Sequence, residues 1–307
     1  MPSGTYIVGM SVAKTLAKHF PEYNAHLSNY GSDTVFPGAF ERGDLDIGIL
    51  TTSTGYQAAF ATGAFEGKEP APVRQICTGN MYNWGMFATP GSGIEAPADI
   101  EGKKWMARRP GSLTVDQVIV GYLQVLGLTE AVDVTIIDHT SVTELTDALK
   151  EGRVDAGLWP HGLATAWMQE LVLLGKVKII SHSEEFIEKF LEIYPFYVPV
   201  VVPGGHWKGH DEDILTFGSF ETVSARESLP ADQVYEITRT LYEDFDTWLS
   251  YNPENKYYGL PGGIDVTHMA FPFHEGAIRY YREAGFWTAE HEAKQKDLLD
   301  KIAALKK

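Results

Sequence analysis

The chain reads Leu45-Asp46-Ile47-Gly48-Ile49-Leu50 and, 109 residues later, Val154-Asp155-Ala156-Gly157-Leu158-Trp159. Each hexapeptide is a short apolar run that follows a glycine two residues upstream, a pattern that favours a buried strand. The two stretches align without a gap. We therefore interpret them as the closing strands of two copies of one structural unit.

The repeat extends upstream of these strands at the same offset. Each unit opens with a Gly/Ser/Thr loop, continues into an apolar-periodic helix, a short strand and a second helix, and ends in the closing strand. The predicted first helices are Val8–Phe20 and Val115–Leu126, and the predicted short strands are Ala25–Asn29 and Val134–Ile137. For the second helix of the second copy, Ser141 with Glu144 has the spacing of a capping box, and Gly152 supplies the C-terminal stop. Strands that alternate with helices predict a parallel sheet, so the fold class is α/β with two similar lobes.

The second copy of the opening loop follows a predicted strand, Lys103–Ala107. The counterpart of that strand in the first copy would precede Met1. We therefore expect the natural chain to extend upstream, with a first strand and an export signal that the numbered sequence does not contain.

Composition limits the classes of function. The 307 residues are 44% hydrophobic and 21% charged, as in an ordinary soluble domain. The formal net charge of −16 argues against nucleic acid as a partner. A single cysteine, Cys77, excludes an internal disulfide. No apolar run approaches the roughly 20 residues that a membrane-spanning helix needs.

Ligands of open parallel α/β sheets collect at the carboxyl ends of strands, where loops meet helix N-termini. The repeat therefore indicates two pairs of matched loops. Ser3–Tyr6 corresponds to Gly111–Thr114, and Thr51–Ser53 corresponds to Trp159–Thr165. Hydroxyls in these loops can bind a polar solute, and the alternative is that they cap the following helices.

Three further groups are candidates, each with an ordinary structural alternative. One of Arg108 and Arg109 could bind a carboxylate, but adjacent strand-end residues face opposite ways, so at most one is expected to do so. Asn83 and Trp84 could line a cleft where the chain crosses between lobes, or lie in the core. His161 could bind ligand or satisfy local backbone.

Other chemistry has weaker support. His206 and His210 stand near three carboxylates, but the surrounding glycines favour a loop, and we predict no metal site there. The spacing of motifs gives no nucleophile triad, no phosphate-binding loop and no dinucleotide fingerprint, so we predict no catalytic residue and no cofactor.

The sequence resembles the TAXI family of solute receptors, which serve tripartite ATP-independent periplasmic (TRAP) transporters. The resemblance covers nearly the whole chain. It rests on Ser3-Gly4-Thr5-Tyr6, Gly43-Asp44-Leu45-Asp46, Pro110-Gly111-Ser112, Tyr194-Pro195-Phe196-Tyr197-Val198-Pro199, His274-Glu275-Gly276-Ala277 and Arg279-Tyr280-Tyr281-Arg282-Glu283-Ala284-Gly285. The last two segments are the most specific.

This resemblance implies a type II periplasmic binding protein fold with two α/β lobes, a hinge and a ligand cleft between the lobes. Lobe I would comprise residues 1–88 and 214–307, lobe II residues 89–213, and the hinge crossovers would lie near 83–90 and 198–216. It also implies a monomeric periplasmic receptor that closes on an amino acid or a C4–C5 dicarboxylate and delivers it to an integral membrane permease.

Residue patterns and resemblance together give one set of predicted ligand-binding residues. They are Ser3, Gly4, Tyr6, Thr51, Thr52, Ser53, Asn83, Trp84, Arg109, Gly111, Ser112, Thr114, Trp159, His161 and Gly162. The chain departs from the family pattern within these loops, at Leu113, at the arginine pair and at Trp159-Pro160-His161. A sensory domain of a signalling protein and a small-molecule enzyme on the same fold are the alternatives.

Overall fold

The computed structural model describes residues 4–23, 25–28, 33–110, 112–163 and 165–306. The helices are α1 (Gly4–His19), α2 (Phe36–Arg42), α3 (Thr52–Ala59), α4 (Leu113–Leu126), α5 (Val142–Lys150), α6 (Ala166–Leu173), α7 (Glu184–Ile193), α8 (Ala231–Glu243), α9 (Phe245–Tyr251), α10 (Glu275–Glu283) and α11 (Ala289–Leu305). The strands are β1 (Ile47–Thr51), β2 (Val73–Ala88), β3 (Lys104–Arg108), β4 (Thr135–Asp138), β5 (Ala156–His161), β6 (Lys178–Ile180), β7 (Val198–Val202) and β8 (Ile214–Arg226).

The chain divides into two compact units. Unit 1 comprises Met1–Met81 and Phe220–Lys307, and unit 2 comprises Tyr82–Ser219. These divisions fall inside the long strands β2 and β8, whereas the sequence placed them at 88/89 and 213/214. The C-terminal helices α8 to α11 belong to unit 1.

The 109-residue repeat is visible in the observed elements. Helices α1 and α4 begin at Gly4 and Leu113, and strands β1 and β5 begin at Ile47 and Ala156, so both pairs keep the offset. Gly43 and Gly152 end the second helices with φ of 76° and 66°. Glycine adopts this left-handed conformation without the steric cost that a Cβ imposes, which explains the stop signal in both copies.

Local chemistry also explains the helix starts in unit 2. The Ser141 hydroxyl accepts a hydrogen bond from the Glu144 backbone N–H at 3.1 Å, so it caps α5 as predicted. The Glu144 carboxylate accepts from the Thr140 backbone N–H at 2.8 Å. In a capping box the Glu144 carboxylate would accept from the backbone N–H of the N-cap, Ser141. Here it accepts instead from the residue before the N-cap, Thr140.

Unit 2 contains the parallel strands. β3 pairs in parallel with both β4 and β5, and β5 pairs antiparallel with β2 from Asn83↔His161 to Ala88↔Ala156. The carboxyl ends of β3, β4 and β5 therefore lie at one edge of the sheet, where the sequence placed its second set of loops.

Unit 1 differs from the expected pattern. β1 pairs antiparallel with β8, from Ile47↔Ala225 to Thr51↔Glu221. The predicted strand Ala25–Asn29 is wrong for residues 25–28, which form no ladder in the described part of the chain, and Asn29 lies outside it. A strand needs a partner for its backbone groups, and the short polar segment carries too little apolar surface to recruit one.

Each unit has its own core. In unit 1, large aromatics such as Trp248, Phe271 and Tyr281 are fully buried. The core of unit 2 is centred on Tyr122 and Phe217, whose ring centroids are 6.0 Å apart. A cluster of rings in unit 2 surrounds this pair and positions the helices that follow β3 and β6.

Candidate functional site

The hydroxyl residues that follow β1 form one connected group. The Thr51 hydroxyl accepts from the Thr54 backbone N–H at 3.2 Å, and it lies 2.8 Å from the Ser53 hydroxyl. The Thr52 hydroxyl accepts from the Phe220 backbone N–H at 3.1 Å. Thr51 thus caps α3, so the capping interpretation is correct for this residue, and Thr52 ties the start of that helix to β8.

A buried carboxylate, Glu221, lies beside this group and was not predicted from the sequence. It is fully buried and stands opposite Thr51 in the β1–β8 register. It accepts hydrogen bonds from the Thr5 hydroxyl at 2.5 Å, the Asn80 amide at 3.1 Å and the Tyr258 hydroxyl at 3.1 Å. The available signal was a carboxylate in a strand that is otherwise uncharged up to Arg226, since buried carboxylates are rarely retained without donors.

A cavity of about 660 Å³ lies within unit 1, between α1, α8 and the edge of β1 that faces away from β8. Its polar lining includes Thr5, Tyr6, Thr51 and Glu221. Much of the remaining lining is apolar. The Tyr6 side chain is 36% exposed, so it is accessible to a solute at this cavity. Ser3 lies outside the described residues, and Gly4 is the first residue of α1.

In unit 2 the two arginines that end β3 have different partners. The Arg108 guanidinium binds Glu130 through two bonds of 2.5 and 2.8 Å, and it binds Asp116 at 3.0 Å. Arg109 is exposed, with its guanidinium carbon 5.6 Å from the ring centroid of Trp159. Only Arg109 is therefore free to meet a solute, as the alternation of strand-end residues indicated.

The N-terminus of α4 follows Arg109 directly. The Ser112 backbone N–H donates to the Arg109 carbonyl at 2.9 Å, and Ser112 occupies the N-cap position. Its hydroxyl makes no capping bond to the helix, which leaves this half-buried group available for other acceptors or donors. Thr114 is half-buried in the first turn, and Gly111 lies outside the described residues.

Trp159 on β5 lies next to a histidine that the sequence did not single out. The His139 ring follows β4 and meets Trp159 edge-on, with centroids 4.9 Å apart and planes at 71°. Burial lowers the pKa of His139, so the ring is neutral near pH 7. His139 follows a parallel strand directly, as the predicted loops do, and this position could have identified it from the sequence.

Asn83, Trp84 and His161 are all buried in unit 2, at 1%, 2% and 3% exposure. They line a cavity of about 10 Å³, enough for roughly one water molecule. The His161 ring packs against Trp167 and Trp207, and burial lowers its pKa to about 4. His161 is therefore an uncharged ring, and Gly162 after it is half-buried.

His206 and His210 contact different parts of the backbone and share no hydrogen-bond partner among the described residues. The His210 Nε2 accepts from the Ile179 backbone N–H at 2.9 Å, while the His206 Nε2 lies 3.3 Å from the Leu163 carbonyl. Within the described ranges, no group of three or more His, Cys, Asp or Glu residues could hold a metal ion. Nor does any described helix combine the length and apolarity needed to cross a bilayer.

A family model described as the NMT1-like family matches residues 2–285. The chain belongs to the NMT1-like family. The match covers both units and the 109-residue repeat. It does not separate the TAXI type of receptor from others.

Several solved structures are similar to this NMT1-like chain at low sequence identity. A Xanthomonas citri protein solved with bound ATP is 9% identical, with 99% of this chain and 95% of that chain covered and a TM-score of 0.52. The periplasmic aliphatic sulphonate binding protein of Escherichia coli is 15% identical over 95% of this chain and 89% of its own, with a TM-score of 0.45. An ancestral arginine-binding protein bound to arginine is 17% identical over 82% and 88%, with a TM-score of 0.44.

The predicted α/β fold class is confirmed for this NMT1-like chain by its helices and by the parallel pairing of β3 with β4 and β5. The loops that the sequence selected fall in two sets, one in each unit. In unit 1 they surround Thr51, and in unit 2 they surround Arg109 and the start of α4.

Proposed function

We propose that this chain is a periplasmic solute receptor that binds a small carboxylate-bearing ligand and delivers it to a TRAP-type membrane permease. The observation that carries the proposal is the repeat itself. Both units begin a helix and a strand at the same offset of 109 residues. In each unit this arrangement brings hydrogen-bonding groups to a helix N-terminus beside a strand end, which is where α/β proteins hold polar ligands.

The charges near the start of α4 support a carboxylate-bearing ligand. In unit 2 the exposed Arg109 guanidinium and the α4 N-terminus both favour a carboxylate. In unit 1 the buried Glu221 carboxylate already accepts hydrogen bonds from Thr5, Asn80 and Tyr258.

The chemistry of the histidines supports a receptor rather than an enzyme. A general acid or base works best when its pKa is near the operating pH. Burial lowers the pKa of His161 and of His182 to about 4, so both stay neutral near pH 7. A receptor needs only complementarity to the ground state of its ligand, which hydroxyls, backbone amides and one guanidinium provide.

The test is a thermal-shift screen of the full chain with L-glutamate, other amino acids, succinate, glutarate and 2-oxoglutarate. A ligand at 100 times its Kd stabilises a receptor by about 2.7 kcal/mol, which for a chain of this length corresponds to a rise in Tm of roughly 4 °C. Two control compounds are L-glutamine, which lacks the side-chain carboxylate of L-glutamate, and glutaramide, which has no carboxylate. Failure of every carboxylate to raise Tm would contradict the proposed ligand class.

Alanine substitutions at two serines distinguish an effect on ligand affinity from an effect on stability. Ser112→Ala removes a hydroxyl that makes no capping bond, so we expect weaker ligand binding with an unchanged Tm of the free protein. Ser183→Ala removes the cap of α7, whose hydroxyl accepts from the Phe186 backbone N–H at 3.1 Å. It should lower stability by about 1 kcal/mol and leave affinity unchanged. Equal affinities in both variants would remove the α4 loop from the site.

Delivery to a permease needs a transport assay. The receptor would be added to liposomes that contain a TRAP permease or, separately, an ABC transporter. We expect uptake that an ion gradient drives without ATP. Uptake that depends on ATP hydrolysis would assign the receptor to the other class of transporter.

A further inference from the structure

We propose that Trp159 is a positioning residue that holds the Arg109 guanidinium flat, ready to bind a ligand carboxylate through its edge. The inference rests on the proposed function and names the residue pair that selects the carboxylate. The guanidinium carbon lies 5.6 Å from the centroid of the Trp159 ring, within the range of a cation–π contact. An arginine that stacks by its face keeps its in-plane N–H groups free for a bidentate carboxylate.

The neighbouring arginine shows why Arg109 is the available one. Arg108 is held by the carboxylates of Asp116 and Glu130, and these bonds raise its pKa further. Among the described residues Arg109 forms no salt bridge, and its side chain is exposed. A ligand carboxylate therefore need not displace a protein carboxylate to reach Arg109.

A buried histidine restricts the orientation of Trp159. His139 is 1% exposed, and its Nδ1 lies 3.0 Å from the Ser141 carbonyl oxygen, which fixes the ring. The fixed ring meets the indole at 71°. The His139 ring is therefore held by this hydrogen bond and by burial. The indole thus packs against a neighbour whose own position is fixed.

The start of α4 supplies a second set of donors beside the guanidinium. The hydrogen bond from the Ser112 backbone N–H to the Arg109 carbonyl closes a turn between them. The helix that begins at Leu113 runs for 14 residues, so its N-terminus carries a positive partial charge. A carboxylate at this turn would meet a stacked guanidinium and the first helical amides together.

The test is a double-mutant cycle on the full chain, with L-glutamate and 2-oxoglutarate as probes and Kd measured by calorimetry. Arg109→Lys keeps the charge and loses the planar fork, so we expect affinity to fall roughly tenfold to a hundredfold. Trp159→Leu should weaken binding about two- to fivefold, while Trp159→Phe keeps an aromatic face and should restore most of the affinity. In an Arg109→Ala background, Trp159→Leu should cause no further loss.

The matched control is Arg279, whose guanidinium carbon lies 4.2 Å from the Tyr235 ring centroid in unit 1. Arg279→Lys should leave Kd unchanged. If either probe binds and Arg109→Lys or Trp159→Leu has wild-type Kd, the inference is overturned while the proposed function stands. An equal loss from Trp159→Leu in the Arg109→Ala background would show that Trp159 contacts ligand by itself, which also overturns it. If no carboxylate of the thermal-shift screen binds the wild-type chain, the proposed function fails together with the inference.

Discussion

Acid stability offers a direct test of the buried histidines, and His182 is the best placed to isolate. Its ring lies in the core of unit 2, with Nδ1 3.0 Å from the Leu215 carbonyl and Nε2 2.5 Å from the Tyr122 hydroxyl. Since Nδ1 donates to the carbonyl, Nε2 accepts from the tyrosine, and the ring is neutral. Burial lowers the pKa of His182 from 6.5 to about 4. His182→Gln removes this titrating group.

The magnitude follows from proton linkage. The folded chain has the lower pKa, so the stability contributed by His182 is present in full above pH 6.5 and is lost as the pH falls from 6.5 towards 4. At pH 5 the unfolded ring is protonated and the folded ring is still neutral, so the linkage relation gives a loss of about 2 kcal/mol relative to pH 8. The His182→Gln variant should therefore lose about 2 kcal/mol less than the wild type over the same interval.

The assay is urea unfolding at a series of pH values, with the free energy of unfolding extrapolated to water. Tyr122→Phe removes the hydroxyl but keeps the imidazole, so stability should fall by about 1–3 kcal/mol while the pH dependence persists. His206→Gln removes an exposed imidazole of unit 2 and serves as the control for the slope. If His182→Gln and the wild type show the same pH dependence, His182 does not titrate as a buried neutral ring and the reasoning is refuted.

Two further variants probe unit 1. Gly55→Ala would place a Cβ 2.0 Å from a ring carbon of Phe271, so we expect urea unfolding to show about 2–4 kcal/mol of destabilisation. In the control Gly38→Ala the new Cβ meets only the tip of the flexible Arg42 side chain, so we expect no destabilisation. Equal stabilities of the two variants would contradict the close packing at Gly55. Glu221→Gln turns one acceptor oxygen into a donor that faces protein donors, and should lower the free energy of unfolding by about 1–3 kcal/mol; an unchanged free energy would contradict the role of this carboxylate as a shared acceptor.

Local signals explain which parts of the fold could be predicted from the sequence. Gly152 and Ser141 act on the residues beside them, so the ends of α5 were predicted correctly. The failed strand at residues 25–28 depended on a partner elsewhere in the chain, which periodicity cannot identify. Strand existence is therefore less predictable than helix ends in this chain.

The same contrast between local features and contacts across the chain applies to the candidate site. The loops after β1 and before α4 could be selected from the sequence because strand ends and hydroxyl residues are local features. Glu221 was missed because its donors come from Thr5, Asn80 and Tyr258, which are far apart in sequence. The contact between Arg109 and the Trp159 ring likewise joins the residue after β3 to a residue of β5, which only the folded sheet brings together.

The single cysteine has a practical consequence for labelling chemistry. Cys77 is fully buried, and burial raises the pKa of its thiol to about 12. Because the thiolate is the reactive form, roughly one molecule in 100,000 would present it at pH 7, and maleimide reagents would also have to reach it. A cysteine introduced on the surface of either unit would therefore take a dye or spin label alone, with the native residue left in place.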